Sequence, residues 1–582
     1  EVIAHAYEEW GPESVERLQG MFAFAVFDCR YSYREGEGTV FLARDRMGIK
    51  PLYYCRLPID GDEFRISDFG LRNAEYAISP QLTDQTSPLT IPNPKSAIPN
   101  PQSVFLFASE LRTLLSSGAV PRKLSRSALE SYLLFGSVSE PETLVDGVYS
   151  LPPGHCLTVR VGQTLSVSEP ECYWNLGVSA ARNGHDKQAL NHAAENVREK
   201  LEASVRRHLI ADVPVGVFLS GGIDSTALAA LASREIPGVH TFTVGFREDE
   251  FNEARIAERT AHALGTDHSE LTLNADDLLK RLEEAMGALD QPSIDGVNTY
   301  FVSWAATQAG LKVALSGLGG DEVFGGYSTF QRTPHFQRIR SIGGIVPDGL
   351  RTAMSAAVAS ATEGIGPGDA ARKIAALWNE PHSLPDAYFF SRALFPPPQV
   401  TELMNGNENS DGKPRWWTWL ARSAEYARKL DPFTAVSCME SQSYLVNTLL
   451  RDTDSMSMAH SLEVRVPFLD HELVEFVMQL PESTKLRKGL PKSLLTSALA
   501  DVLPDEVVNQ TKRGFTLPWA TWLKGPLKKN LEQGLSELAE PLQQVLDVNE
   551  VRNVWKNYLQ GQTSWSRPWS LFVLNQWVRK YL

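Results

Sequence analysis

Two glycine-rich loops carry the residues best suited to chemistry. In the first, Val215-Gly-Val-Phe-Leu runs into Ser220-Gly221-Gly222, and a helical pattern opens at Ile223-Asp224-Ser225. Glycines let a backbone take positive φ and come close to a ligand. A helix start offers unpaired N–H groups and the positive end of its dipole. With the Ser220 and Ser225 hydroxyls these groups make a cradle for an oxyanion. The simpler alternative is a plain glycine turn between strand and helix. The loop lacks the lysine of G-x-x-x-x-G-K-S/T and the spacing of G-x-G-x-x-G, so neither a Walker loop nor a dinucleotide fingerprint is present.

The second loop repeats the arrangement. Lys312-Val-Ala-Leu-Ser316 reads as a strand that leads into Gly317-Leu-Gly-Gly-Asp-Glu-Val-Phe-Gly-Gly-Tyr327. Glycines at the carboxyl end of a parallel strand sit where open α/β sheets bind ligands. Asp321 and Glu322 add carboxylates. Mg²⁺ takes one or two carboxylates together with phosphate oxygens, and Asp224 and Asp321, one from each loop, are the candidate pair. Helix capping is the structural alternative for Asp321.

The elements that must hold these loops follow from periodicity. Leu190, Val197, Leu201, Val205 and Leu209 fall on one helical face. Apolar strands at 215–219, 241–246 and 312–316 alternate with helical stretches, which predicts a parallel sheet covered by helices. Beyond about Phe330 the chain reads as helical, through the Trp-rich end at 565–582. The front differs. Met21-Phe-Ala-Phe-Ala-Val-Phe-Asp28, Thr39-Val-Phe-Leu-Ala43 and Val104-Phe-Leu-Phe-Ala108 read as short strands in hairpin order, an antiparallel α+β pattern. Residues 57–102 interrupt it. Their second half is rich in Pro, Ser and Asn, and a seven-residue unit recurs there as Ile91-Pro-Asn-Pro-Lys-Ser-Ala97 and Ile98-Pro-Asn-Pro-Gln-Ser-Val104. Such proline density predicts an extended insertion at a hairpin tip. The 582 residues divide into 1–175, carrying that insertion, and 186–582.

Composition narrows the function. A net charge of -14 disfavours wrapping nucleic acid through its phosphates. No apolar run is long enough to span a bilayer. The five cysteines are scattered, without a C-x-x-C pair, which fits neither a zinc site nor a disulfide framework and points to a reducing cytoplasm.

The S-G-G-x-D-S loop is similar to that of enzymes that split ATP between its α and β phosphates. With the second loop, the chain resembles the glutamine-dependent asparagine synthetase family. Further blocks carry the likeness: Leu449-Leu-Arg-Asp-Thr-Asp-Ser-Met-Ser-Met-Ala-His-Ser-Leu-Glu-Val-Arg-Val-Pro-Phe-Leu-Asp470, Lys492-Ser-Leu-Leu495 and Lys512-Arg-Gly-Phe-Thr-Leu-Pro518. At the front, Arg44-Asp45-x-x-Gly48-x-Lys50-Pro51 and Phe107-Ala-Ser-Glu110 agree as well. The resemblance implies an N-terminal-nucleophile-type glutaminase domain followed by a synthetase domain. It implies ATP, Mg²⁺, aspartate, and glutamine or ammonia as ligands, with a homodimer compatible but not specified. Residue by residue, it places Ser220, Gly221, Gly222, Asp224 and Ser225 on pyrophosphate, Phe218 and Val244 around adenine, and Ser316 and Gly317 on the nucleotide. It places Asp224 and Asp321 on the metal, and Lys512 and Lys492 on developing phosphate charge. Asp454 matches an acid near the substrate, with pairing to Arg465 as its structural alternative.

Two departures stand out. Leu318 occupies the slot that S-G-E-G-x-D-E gives to a glutamate linked to the reaction intermediate, and leucine neither takes a proton nor accepts a hydrogen bond. The family's nucleophilic cysteine heads its chain, whereas this sequence opens at Glu1-Val-Ile-Ala-His5 and offers no equivalent, with Cys29 read as structural. The expectation is a chain cut off at the front that uses ammonia and does not hydrolyse glutamine. An adenylating enzyme for another carboxylate, and a non-catalytic subunit, are the competing readings.

Overall fold

The computed structural model describes residues 1–30, 37–58, 103–162, 164–177, 187–246, 254–273, 275–347, 349–351, 354, 368–405, 413–487, 489–510 and 517–582. The front half contributes β1 (Ala23–Asp28), β2 (Gly38–Arg44), β3 (Tyr53–Pro58), β4 (Ser103–Ala108), β5 (Val148–Ser150), β6 (His155–Val161), β7 (Ser166–Val167) and β8 (Glu171–Cys172). They form two antiparallel sheets, one in the order β1-β2-β6-β7 with β8 also on β6, the other β4-β3-β5. β3 pairs with β4 as far as Pro58↔Ser103. Leu57 and Pro58, read from sequence as insertion, therefore belong to a strand. The rest of the expected insertion lies outside the described residues.

The second half contributes β9 (Val215–Phe218), β10 (His240–Phe246), β11 (Asp267–Leu273), β12 (Val313–Leu315) and β13 (Glu463–Arg465). Every pairing in this sheet is parallel, in the order β11-β10-β9-β12-β13. The chain lays down β9, builds outward through β10 and β11, then returns to the other side of β9 for β12. The β9/β12 boundary is thus the topological switch point, where strand order reverses and where open α/β sheets bind their ligands. β13 departs from the sequence reading. It lies inside a block read as helical, and three residues are too few to show a period of two.

Side-chain alternation divides the core. Val217, Val313 and Leu315 join an apolar cluster with Val197, Leu201 and Val205 of the helix Lys187–His208, while Ala314 and Phe242 face a second cluster with Phe301, Phe389 and Trp416. Both faces of the sheet are therefore buried, as a parallel sheet requires. Tyr53, Leu129, Tyr132 and Leu144 of the front half belong to that second cluster. The two halves share a core there.

Not all of the helical region is electrostatically relaxed. Lys373, on the helix Asp369–Asn379, donates from Nζ to the Ser391 carbonyl at 3.1 Å. Burial and then the nearby Arg567 push its pKa down to about 8. The unfolded chain binds this proton more firmly than the native state, so its unfavourable contribution is complete below about pH 8. Stability rises with pH from there up to the ordinary lysine range. Lys373→Met is expected to stabilise the protein at pH 7 by about 1 kcal/mol, a gain that shrinks toward pH 10. Urea unfolding at both pH values measures it.

Candidate active site

Each loop leaves the sheet on the same edge, from neighbouring strands. β9 and β12 pair at Leu315↔Val217, so Ser220 and Gly317 follow adjacent strand ends. Phe218 and Val244, from β9 and the neighbouring β10, are part-buried and packed against the second core cluster. In the first loop Gly221 takes φ +72°. The Ser225 hydroxyl accepts from the Ser220 N–H at 3.1 Å, lies 3.0 Å from the Ser220 hydroxyl and donates to the Gly222 carbonyl at 3.2 Å. These bonds close the turn and let the helix Ile223–Glu235 begin at the strand end. Gln510 donates to the Gly221 carbonyl from a distant helix end.

The second loop is built against the first. A Cβ at Gly317 would lie 2.9 Å from the Asp224 Cβ, and one at Gly320 would lie 2.6 Å from the Asp224 carboxylate. Only glycine permits that approach. Ser316 is tied to β13 through its N–H, which donates to the Arg465 carbonyl at 2.8 Å. Leu318 is part-buried and packs against the first cluster, alongside Ile223 and Leu449.

Asp224 and Asp321 converge on one cation, Lys492. Its Nζ bonds to Asp224 Oδ2 and lies 2.5 Å from Asp321 Oδ1. The lysine side chain is 5% exposed, at a residue with φ +45° that starts the helix Ser493–Ala498. Burial alone would lower its pKa, but the two carboxylates outweigh that and hold it above the ordinary lysine value. The ammonium stays charged. Carboxylates are donors of the kind a Mg²⁺ ion takes together with phosphate oxygens, but the point where these two meet is taken by the Lys492 ammonium. Among the described residues no group of three or more His, Cys, Asp and Glu side chains gathers into an all-protein metal cage.

Behind this pair lies a buried polar layer that sequence reading did not assemble. Glu322 is fully buried, and burial followed by its neighbour Asp321 pushes its pKa up to about 7, against a hydrogen bond from the Tyr327 hydroxyl at 2.7 Å. The Arg392 guanidinium lies 4.6 Å from the Tyr327 ring centroid and 3.9 Å from that of Tyr444. It also grips Glu440 through two bonds of 3.0 and 2.6 Å. Tyr444 donates to Asp295 at 2.9 Å. Glu322 and Tyr327 were visible as loop residues. Arg392, Glu440, Tyr444 and Asp295 come from separate elements with no motif to join them.

Asp454 does not pair with Arg465. Its carboxylate accepts from Lys50 Nζ at 2.7 Å, while Arg465 bonds Glu463 and the carbonyls of His208 and Ile210. The reason is topological: Arg465 stands on the edge strand β13, where Glu463 and the carbonyls at the end of the helix Lys187–His208 take up its guanidinium, and the loop after β2 reaches Asp454 instead. Lys512 lies outside the described residues. Of the five cysteines, Cys55, Cys156 and Cys438 are buried, with thiol pKa values pushed up by burial to about 11, 11 and 12. Cys172 is exposed and also raised by burial, and Cys29 is exposed.

Fold and site together define an α/β protein whose two glycine loops meet at the switch point of a parallel sheet. The Asparagine synthase family model matches residues 196–579, and the model of a Glutamine amidotransferase domain matches residues 1–67 and 94–174. The chain belongs to the asparagine synthase family and is a ligase of that family. It is 28% identical to glutamine-hydrolyzing asparagine synthetase 1 of Bacillus subtilis, over 91% of this chain and 72% of that protein. Glutamine-hydrolyzing asparagine synthetase 3 of the same organism is 27% identical over 88% and 70%. Amidase chry2 of Gibberella zeae is 27% identical over 92% and 74%. No helix among the described residues is long and apolar enough to cross a membrane.

Proposed function

We propose that this protein makes asparagine from aspartate, using ATP and forming β-aspartyl-AMP on the way. The carrying observation is the meeting of Asp224 and Asp321, from two loops at one switch point, on the buried ammonium of Lys492. A carboxylate is a poor electrophile. Attack of its oxygen on the α-phosphorus expels pyrophosphate and leaves an acyl group bonded to AMP. Ammonia then attacks the acyl carbon, loses a proton, and AMP departs with the carboxylate oxygen.

Ser220, Gly221, Gly222 and Ser225 hold the pyrophosphate end, with the two serines shaping the turn and the N–H groups of the helix start meeting the departing charge. Phe218 and Val244 flank the adenine, and Ser316 and Gly317 contact the nucleotide along its length. Asp224 and Asp321 would hold Mg²⁺, which supplies charge neutralisation on the phosphates. Lys492, kept protonated by its two carboxylates, adds positive charge at the same end, and Lys512 is assigned to the same task. Asp454 stands on the acceptor side. The division at 1–175 and 186–582, with an N-terminal-nucleophile-type front domain, is part of the same reading. Ammonium supplies the nitrogen in the assay, so the test addresses the ATP-dependent half by itself.

Leu318 favours a second reading, an acceptor carboxylate other than aspartate, since the slot that the resemblance gives to a carboxylate is apolar here. The test is AMP and pyrophosphate release with ATP, Mg²⁺ and ammonium across a panel of acids. Release that depends on aspartate and yields asparagine is the expected result. Release with another acid alone overturns the substrate, and no release with any acid overturns the enzyme.

A further inference from the structure

The loop from Arg44 to Pro51 spends its polar groups on holding itself still. The Arg44 side chain, 1% exposed, donates to the Lys50 carbonyl at 2.8 Å, the Gly48 carbonyl at 2.9 Å and Glu140 at 2.8 Å. The Asp45 carboxylate accepts from the N–H groups of Ile49 and Lys50, both at 2.9 Å. Gly48 takes φ +69°, with Pro153 so close that a Cβ would fall 2.6 Å from its ring. Met47 and Ile49 are buried in the cluster that contains Leu445, Leu450 and Phe468 of the synthetase half. Both the carbonyl and the N–H of Lys50 are thus fixed, and apolar anchors on the same loop seat it against the other half.

From this mount the Lys50 side chain reaches Asp454, 404 residues away in sequence. Its partner stands in the first turn of the helix Arg451–Met458, directly after a π-helical segment, Leu445–Leu450. π-helical turns occur often at functional sites. The same helix leads into β13, the neighbour of the strand that carries the second glycine loop. Exposed lysine–carboxylate pairs contribute little, because two long side chains lose freedom to form them. Here the side chains are 25% and 13% exposed, so water screens the pair less, and the lysine backbone is already held by its N–H and carbonyl, so only side-chain freedom is lost on pairing.

We propose that Lys50 is a positioning residue of the synthetase reaction: it fixes the Asp454 carboxylate and neutralises its charge beside the acceptor acid. The ATP-dependent half then depends on a lysine supplied by the amidotransferase-type half. This rests on the placement of Asp454 on the acceptor side under Proposed function. An unneutralised carboxylate there repels the acceptor's own carboxylates and swings out of place.

The experiment is steady-state kinetics of the full chain with ammonium as donor, varying acceptor and ATP separately. Lys50→Met is expected to raise the acceptor KM about tenfold, the effect of losing one charge-assisted contact, and to leave the ATP KM within about twofold. Lys50→Arg recovers most of the loss. Lys50→Met added to Asp454→Asn costs little beyond Asp454→Asn alone, because both act through one contact. An unchanged acceptor KM in Lys50→Met, with only a lower melting temperature, overturns the proposal, as do additive effects in the double variant. Lys50→Gln stands in if the methionine variant does not fold, with the same outcomes. If the wild-type protein turns over an acid other than aspartate, the substrate assignment fails, and the Lys50 variants are measured with that acid. The two failures are therefore distinguishable.

Discussion

Lys492→Met is expected to lower acceptor-dependent pyrophosphate release by about 10³-fold, the loss typical of removing one preorganised charge from a site that stabilises an oxyanion. The geometry also predicts a stability signature. Lys492 is buried between Asp224 and Asp321. Without the ammonium, two carboxylates share a desolvated site, and like charges held so close disfavour their joint ionisation. Breaking a buried ionic cluster by removing one partner costs about 3–5 kcal/mol. A divalent cation that binds the native state offsets part of that loss, so Mg²⁺ is expected to raise the melting temperature of Lys492→Met more than that of the wild type. Activity within about tenfold of wild type would remove Lys492 from the reaction.

Gly326→Ala tests the same pair without altering any charged group. A Cβ there would fall 1.7 Å from Asp321 Oδ1 and 2.8 Å from Lys492 Cε. The Asp321 carboxylate has to move, and the point at which the two loops meet moves with it. Displacing such a group by an ångström costs on the order of 10² in rate. The native backbone at Gly326 is tied by its N–H to the Asp321 carbonyl at 2.9 Å, so the strain falls on the side chains rather than on the turn. The expected result is a loss of about 100-fold in turnover with a melting temperature lowered by only about 2–4 °C. Circular dichroism melts beside initial rates measure both. Equal losses in folding and activity would reduce Gly326 to a packing residue.

What the sequence made legible was local. Glycines placed after apolar runs marked both loops, because close backbone approach is a requirement on residue type at one position. Val197, Leu201 and Val205 marked a buried helical face because its period of 3.6 persists over several turns. The less legible features depend on where distant segments pack. β13 is three residues set in a helical block. The Arg392–Glu440 pair joins two helices that carry no motif, and their meeting is decided by how those helices pack. The partner of Asp454 shows the same limit. Arg465 stands close by in the sequence, yet the cation that reaches the carboxylate is Lys50, held by a loop whose rigidity comes from Arg44 and Asp45. Lys512 falls outside the described residues, so its part in the reaction rests on its motif.

The most direct measurement follows one oxygen atom. Aspartate labelled with ¹⁸O in its side-chain carboxylate is incubated with ATP, Mg²⁺, ammonium and the protein, and the nucleotide and phosphate products are analysed by mass spectrometry. Attack on the α-phosphorus between the two loops predicts AMP carrying one ¹⁸O, with unlabelled pyrophosphate. Label in inorganic phosphate alongside ADP, or AMP that forms without label, would contradict it.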